Sequence, residues 1–556
     1  MALDAGAIVA AAALFFIVRA PLLTPDGLLR GVNSDSAIIG LMGRKMFEGR
    51  GFDVFFWGQN YLGSFTSMVA ALFAFVVGSC GPLALRLAAM SEVALGALLY
   101  WWAIRRIDGR AAAVVLLMLA VGPPDLFSMS VTPIGGEMAF LFAAAIAAVA
   151  VQHFTSARSW LLRWRGQFAF GVLIGFAWWM NQQVVFTLLA FACALFFRSP
   201  AFAGVREQLA LRDRLLLRSE RLGWRPLNGY AEAFVFVIHA TGAVMLVVYV
   251  ITALRGQPLA LAIFGPMLDP LLLIFVPHIV LPLTQGEWRR WRGMFDWRLL
   301  RVLAPLGAGF AIGRAPVWLG RWLHWYEPNF SFYFAPEPPD YVVAHVRELV
   351  THTVKPWLGI APSFAGVLFA IALVVLVVIA VLRRSREDAV LFLALVPLIN
   401  VAFYVITNSK TYYLITATAP LYALAVLGAL LLCDSRRLLL AIAAACAALV
   451  GSLSLASATL PLRNSIVRQP DPRADIRAAR AAQCRVVYAD YWVSYRSTFL
   501  GGPDIAWVTY GSYDRSPHDS AAARALPGRH CLLEGNQLKV LATPPPRDRL
   551  PRHSGQ

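Results

Sequence analysis

Residues 33–78 read NSDSAIIGLMGRKMFEGRGFDVFFWGQNYLGSFTSMVAALFAFVVG, and whether this stretch crosses a membrane sets the side of everything that follows it. Its second half, Tyr61 to Gly78, is apolar enough to be taken for a bilayer span, which needs roughly 17–25 residues to cross a hydrocarbon core about 30 Å thick. Its first half carries Asn33, Ser34, Asp35, Ser36, Arg44 and Lys45, the densest polar set among the segments read below as reaching the outer face.

Thirteen other apolar stretches are read as spans, of which 168–180 and 183–197 are short: 5–23, 86–104, 111–128, 137–153, 168–180, 183–197, 232–253, 267–284, 300–319, 359–382, 389–406, 412–432 and 438–459. The pair 168–180 and 183–197 is divided only by Asn181-Gln182-Gln183. Of 556 residues, 59% are hydrophobic and 14% charged, far from the composition of a water-soluble domain. The formal charge is +18. About 23 of the 49 basic residues fall in six segments, 105–110, 158–165, 198–225, 289–301, 383–386 and 436–437. The positive-inside bias puts all six in the cytoplasm, so no nucleic-acid partner is needed to explain the charge. With one crossing before residue 24, Arg105 is cytoplasmic only if 61–78 does not cross. That stretch is therefore expected to be an interfacial helix, amphipathic through Ser64, Thr66 and Ser67.

The expectation is an all-α polytopic membrane protein of about thirteen transmembrane helices, with the N-terminus cytoplasmic and the C-terminus outside. The first span has neither a charged leader nor a small-residue cleavage site and reads as an uncleaved anchor. Trp160, Trp164, Trp288, Trp291 and Trp297 then fall at the inner interface, and Trp318, Trp322, Trp325 and Trp357 at the outer one. Four segments reach outside with useful length: 24–85, 123–136, 320–358 and 460–556. All four lysines lie outside in this topology, Lys45, Lys355, Lys410 and Lys539.

The tail reads as a small α/β unit over 461–545, with helices at 475–483 and 491–499, strands at 485–488, 505–510, 531–533 and 537–541, and a disordered end at 546–556. Cys484 and Cys531 each open or precede a strand; in an oxidising compartment they can pair, and otherwise they are buried thiols.

The Ser34-Asp35-Ser36 triplet before an apolar run admits two readings. Ser34 or Asp35 can be an N-cap that accepts backbone N–H groups, or Asp35 can be a catalytic acid held at the membrane surface. Here a resemblance bears on the choice. Residues 33–78, followed by LRLAAMSEVALGALLYWWAIRRIDGR at 85–110, resemble the N-terminal half of the GT-C superfamily of membrane glycosyltransferases. The similarity is to the bacterial branch related to protein O-mannosyltransferases and the lipid A aminoarabinose transferase. NSKTYYLITATAPLYALAVL at 408–427 is similar to that family's basic-residue plus Tyr-Leu element, and VVYADYWVSYRSTFL at 486–500 resembles the tail of the same branch.

What the resemblance implies is a transmembrane domain over 1–460, a periplasmic active site in the bacterial inner membrane, and a polyprenyl-phosphate-linked sugar as donor. The acceptor is a lipid, glycan or protein hydroxyl, attacked with inversion. Asp35 stands at the family's acidic position in the first outer loop, and Arg86 at the basic position opening the second span. The family often has two acids in the first loop, whereas here Asp35 is followed by Ser36, and the second-loop acid has only the loose matches Asp125 and Glu137 (GGEM, 135–138). Use of a divalent metal is left open by that pattern.

A phosphate ester departs without needing a proton, so one carboxylate acting as general base suffices, unlike the paired acids of sugar hydrolases. Developing phosphate charge calls for fixed cations, and Arg44, Lys45, Arg86, Arg314 and Lys410 are the basic residues on or near the outer face. Each of these can equally anchor to lipid headgroups. Glu92, Glu137, Asp269, His278 and Arg314 lie in or at the ends of spans, where ionisable groups are costly and functional, unless they pair or snorkel. His324, His345 and His352 share an outer loop with Glu327 and Glu337 at spacings unlike a zinc site. The same loop, HWYEPNFSFYFAPEPPDY at 324–341, can cover a sugar or pack on the other loops. A transporter or glycolipid flippase is the alternative from another class, but no internal repeat is seen and the polar residues gather at the outer rim rather than at the bilayer midplane.

Overall fold

The computed structural model describes residues 2–29, 32–156, 159–198, 297–323, 344, 346–349, 357–358, 364–384, 387–406, 414–432, 472–510, 517–534 and 537–543. The expected spans 232–253, 267–284 and 438–459 lie outside the described residues. So do Lys410, Asp269, His278, the three outer-loop histidines, and Trp288, Trp291 and Trp325.

The described helices of the first half are α1 (Ala2–Arg19), α2 (Pro25–Leu29), α3 (Ser34–Phe47), α4 (Phe65–Val77), α5 (Pro82–Arg105), α6 (Gly109–Val121), α7 (Pro124–Val131), α8 (Gly136–Thr155), α9 (Trp164–Met180) and α10 (Val184–Arg198). After them come α11 (Trp297–Gly313), α12 (Ala315–Trp322), α13 (Phe364–Arg383), α14 (Asp388–Ile406) and α15 (Ile415–Leu432). Among the described residues, five stretches, 5–22, 82–105, 136–155, 388–405 and 415–432, are long and apolar enough to cross a bilayer. The chain is a multi-pass membrane protein. Its outer surface agrees with that, since Val9, Phe16 and Ile17 of α1 and Ile371, Val374 and Leu382 of α13 stand exposed, as suits lipid rather than water.

Two expected spans are broken. The 111–128 stretch divides into α6 and α7, bent by 61° at the break. Gly122 there takes φ 76° and is followed by Pro123 and Pro124, which cannot continue the α6 hydrogen-bond ladder. The 300–319 stretch divides at Arg314 into α11 and α12. Trp318 and Trp322 are exposed, as an interfacial belt requires, but Trp357 is buried, with its indole N–H donating to Thr418 Oγ1 at 3.0 Å. It is a core residue, not a member of the outer belt.

The 61–78 stretch is not one helix. It holds the end of a short antiparallel hairpin, β1 (Phe55–Phe56) with β2 (Gln59–Gly63), and then α4. At 13 residues α4 is about 20 Å long, too short for the roughly 30 Å core. Its amphipathicity runs opposite to that of a helix lying at a water interface. Ser64, Thr66 and Ser67 are buried in the protein, whereas Leu72, Phe75 and Val76 are 65%, 69% and 83% exposed.

The tail forms α16 (Pro472–Ala481), β3 (Cys484–Ala489), α17 (Tyr491–Gly501), β4 (Ala506–Thr509), α18 (Pro517–Arg524), β5 (Arg529–Glu534) and β6 (Gln537–Leu541). The sheet order is β4-β3-β5-β6; β3 runs parallel to β4 and β5, and β6 is antiparallel to β5. Cys484 and Cys531 are bonded across β3 and β5, with Cα atoms 5.9 Å apart. In the chain-entropy model a loop of this size adds about 4 kcal/mol. The tail is continuous with the helical core, because Tyr491, Tyr495 and Phe499 of α17 belong to the same buried cluster as Ile38 and Met42 of α3.

Helices α9 and α11 pack backbone to backbone. Gly171 and Gly175 on one face Gly309 and Gly313 on the other, and a Cβ at Gly171 or Gly309 would run into the carbonyl of Leu306 or Phe168. Two GxxxG faces thus let backbone touch backbone, the contact that drives helix association where the solvent is itself apolar. Gly309→Leu should separate the pair and lower the apparent melting temperature in detergent by roughly 5 °C or more. Unchanged melting would show that the contact is dispensable.

Candidate active site at the first outer loop

The N-terminal turn of α3 is set by Asn33, not by Ser34 or Asp35. Asn33 Oδ1 accepts from Ser36 N at 2.8 Å, and Ser36 Oγ lies 2.9 Å from both Asn33 Oδ1 and the Pro133 carbonyl. With the cap supplied by Asn33, the two neighbouring side chains are free to reach the tail. Ser34 Oγ is 3.0 Å from the carbonyls of Tyr491 and Trp492, and the Tyr491 hydroxyl donates to Asp35 Oδ1 at 2.5 Å. Asp35 is half-buried, and its Oδ2 has no partner among the described residues. One carboxylate oxygen is therefore held by Tyr491, and the other meets no group among the described residues.

The opposite end of α3 is also tied to α17. Arg44 donates to the Phe499 carbonyl at 2.8 Å, with its guanidinium 5.2 Å from the centre of the Phe499 ring, and that ring occupies the space a side chain at Gly40 would need. Arg44 lies nine residues beyond Asp35, about 13 Å along a helix. Lys45 pairs with Asp53 at 2.8 Å. Neither cation is brought to the Asp35 carboxylate.

Arg86 is buried, and its guanidinium is directed at main-chain carbonyls. Nε donates to Val131 O at 3.0 Å, Nη1 to Leu22 O and to Gly27 O at 2.9 Å, and Nη2 lies 3.5 Å from Leu28 O. The expected phosphate ligand is here the pin that holds the 22–28 segment against α5 and α7. Arg19, equally buried, ties the end of α1 to the α6–α7 break through Ala120 O at 2.7 Å and Ser130 Oγ at 2.7 Å. Arg314 is half-buried at the α11–α12 junction, and Asp125 lies in the first turn of α7.

Glu137 faces inward as well. Its carboxylate accepts from Gly135 N at 3.0 Å and Ile134 N at 3.2 Å, closing the turn that opens α8. Thr66 Oγ1 of α4 lies 3.1 Å from Glu137 Oε1 and 3.0 Å from Glu92 Oε2 of α5. A hydroxyl has one hydrogen to give, so the trio is complete only with a further hydrogen on one carboxyl. Glu137, already accepting from two N–H groups, is the acceptor end, and Glu92 is the donor end. Asn181 Nδ2 adds a bond to Gly135 O at 2.9 Å. Through Pro133 and Ser36 this buried network supports the turn that carries Asp35. Among the described residues no three His, Cys, Asp or Glu side chains converge as a metal site.

Sequence reading singled out Asp35, Glu92 and Glu137 but missed Thr66 as their link and Tyr491 as a partner of Asp35. The signal for Thr66 was present in three hydroxyl residues, Ser64, Thr66 and Ser67, at the start of one apolar helix. Tyr491 lies 456 residues away, and nothing local points to it.

No family model matches the chain, and no curated protein matches it. Solved structures similar to it include ArnT from Cupriavidus metallidurans bound to undecaprenyl phosphate, at 14% identity over 93% of this chain and 87% of that one, TM-score 0.46. The same enzyme in the apo state is similar at 14% identity over 95% and 93%, TM-score 0.48. Archaeal oligosaccharyltransferase AglB from Archaeoglobus fulgidus, in complex with an inhibitory peptide and a dolichol-phosphate, is similar at 14% identity over 95% and 69%, TM-score 0.44. Likeness of this size carries no argument about chemistry, which rests on the residues of the site.

The buried trio gives an asymmetric expectation. A glutamine at position 92 can still donate to Thr66, whereas at position 137 its nitrogen cannot accept from a backbone N–H. Glu137→Gln should cost about 2 kcal/mol of stability and Glu92→Gln well under half of that, read from thermal unfolding in detergent. Equal losses would contradict the assignment of donor and acceptor ends.

Proposed function

We propose that the chain is a GT-C-type glycosyltransferase of the bacterial inner membrane. It moves a sugar from a polyprenyl-phosphate donor to an acceptor hydroxyl at the periplasmic surface, with inversion at the anomeric carbon. The observation that carries this reading is Asp35, a half-buried carboxylate at the start of helix α3, with Oδ1 engaged by Tyr491 and Oδ2 without a partner among the described residues. Asp35 takes the proton of the acceptor hydroxyl as its oxygen bonds to the anomeric carbon. The bond from that carbon to the phosphate oxygen breaks, and the polyprenyl phosphate leaves as an anion. A general base positioned in this way contributes typically 10²–10⁴-fold.

The cation proposed for the leaving phosphate is Lys410, on the family-like motif at 408–427, because Arg86 is engaged by carbonyls and Arg44 and Lys45 are distant along α3. The proposed frame is a thirteen-span unit over 1–460 and a periplasmic α/β domain over 461–545, with the N-terminus cytoplasmic. The aromatic loop at 324–341 is proposed to lie on the same outer face. The acceptor class is a lipid, glycan or protein hydroxyl.

Asp35→Asn should reduce sugar transfer at least about 100-fold while the protein still inserts and folds. Transfer near the wild-type rate would remove Asp35 from the chemistry. For orientation, a cysteine replacing Asn60 should react with an impermeant thiol reagent added to the periplasmic side and one replacing Gly109 should not; the opposite pattern would invert the topology.

A further inference from the structure

An aspartate at a water-facing helix end can present either carboxylate oxygen, and rotation between them dilutes any one productive geometry. Here a phenol from the opposite end of the chain removes that freedom. Tyr491 is 8% exposed, and its ring lies edge-on to Trp492 at 5.1 Å and Tyr495 at 5.5 Å. Its helix is capped by Asp490, which accepts from Val493 N at 3.0 Å. The helix is pinned to α3 at both ends, by Ser34 on the Tyr491 and Trp492 carbonyls and by Arg44 on the Phe499 carbonyl. The Tyr491 hydroxyl is thus a rigid donor aimed at Asp35 Oδ1.

We propose that Tyr491 is a positioning residue for the transfer reaction: it holds Asp35 Oδ1 and commits Oδ2 to the acceptor proton, so the active site is built jointly by the first outer loop and the C-terminal unit. This rests on the transferase reading above. Held geometry of this kind acts on turnover more than on binding, because it matters at the moment of proton transfer. Tyr491→Phe keeps the ring and its packing and removes only the hydroxyl.

The test uses the full chain in lipid nanodiscs. Infrared difference spectra of wild type minus Asp35→Asn isolate the Asp35 carboxylate stretch, and Tyr491→Phe should displace that band because its hydrogen bond is gone. Initial rates are measured with radiolabelled undecaprenyl-phosphate-linked sugars extracted from the producing cells, their own membranes serving as acceptor. Tyr491→Phe should lower kcat about tenfold with KM within about twofold, and should add no loss to Asp35→Asn. An unmoved carboxylate band, wild-type kcat in Tyr491→Phe, or a full additional loss on top of Asp35→Asn would overturn the inference. Wild-type turnover in Asp35→Asn would instead sink the transferase reading on which it rests.

Discussion

The end of the bundle that carries Asp35 depends on one buried contact, the Thr66 hydroxyl lying between the carboxyl groups of Glu92 and Glu137. Three apolar helices, α4, α5 and α8, meet there. A carboxylate among them is stable only if its oxygens find donors, since water is excluded and an unpartnered charge is costly. Glu137 finds two of its donors in the backbone of the turn before α8. The price of burying the acid is thereby met by fixing the loop, and the fixed loop presents Pro133 O to Ser36 beside Asp35. A short helix with a polar face inward and an apolar face outward follows from the same constraint. At 13 residues α4 is also shorter than a bilayer core requires.

Much of the helical architecture was legible because hydropathy is a sum over many residues and tolerates local error. The Asn181-Gln182-Gln183 break fell where α9 ends and α10 begins, and the alternation of the tail located its strands to within a few residues. What was not legible depended on partners that the sequence does not mark. Arg86 looked like a phosphate ligand, yet it donates to main-chain carbonyls, which any residue type supplies. The cap of α3 fell to Asn33 because Ser34 and Asp35 had partners in α17, and no local pattern shows a residue what lies more than 450 positions later. Thr66 is an intermediate case: the hydroxyl residues of α4 were visible, but their side was read for water when it faces two acids.

The candidate site is composite. The segment before α3 supplies the acid, the turn before α8 supports it, and the tail supplies the phenol and packs Phe499 into the space that Gly40 leaves. The Cys484–Cys531 bond ties β3 to β5 in the unit from which α17 emerges, so the tail reaches the site as a braced element rather than a loose extension.

The most direct measurement is a cryo-electron microscopy structure of the full chain in nanodiscs with added undecaprenyl phosphate. The account predicts phosphate density at the outer face against the N-terminal turn of α3, beside an Asp35 that Tyr491 still holds. Phosphate density on the opposite face of the membrane, or between spans away from α3, would contradict it.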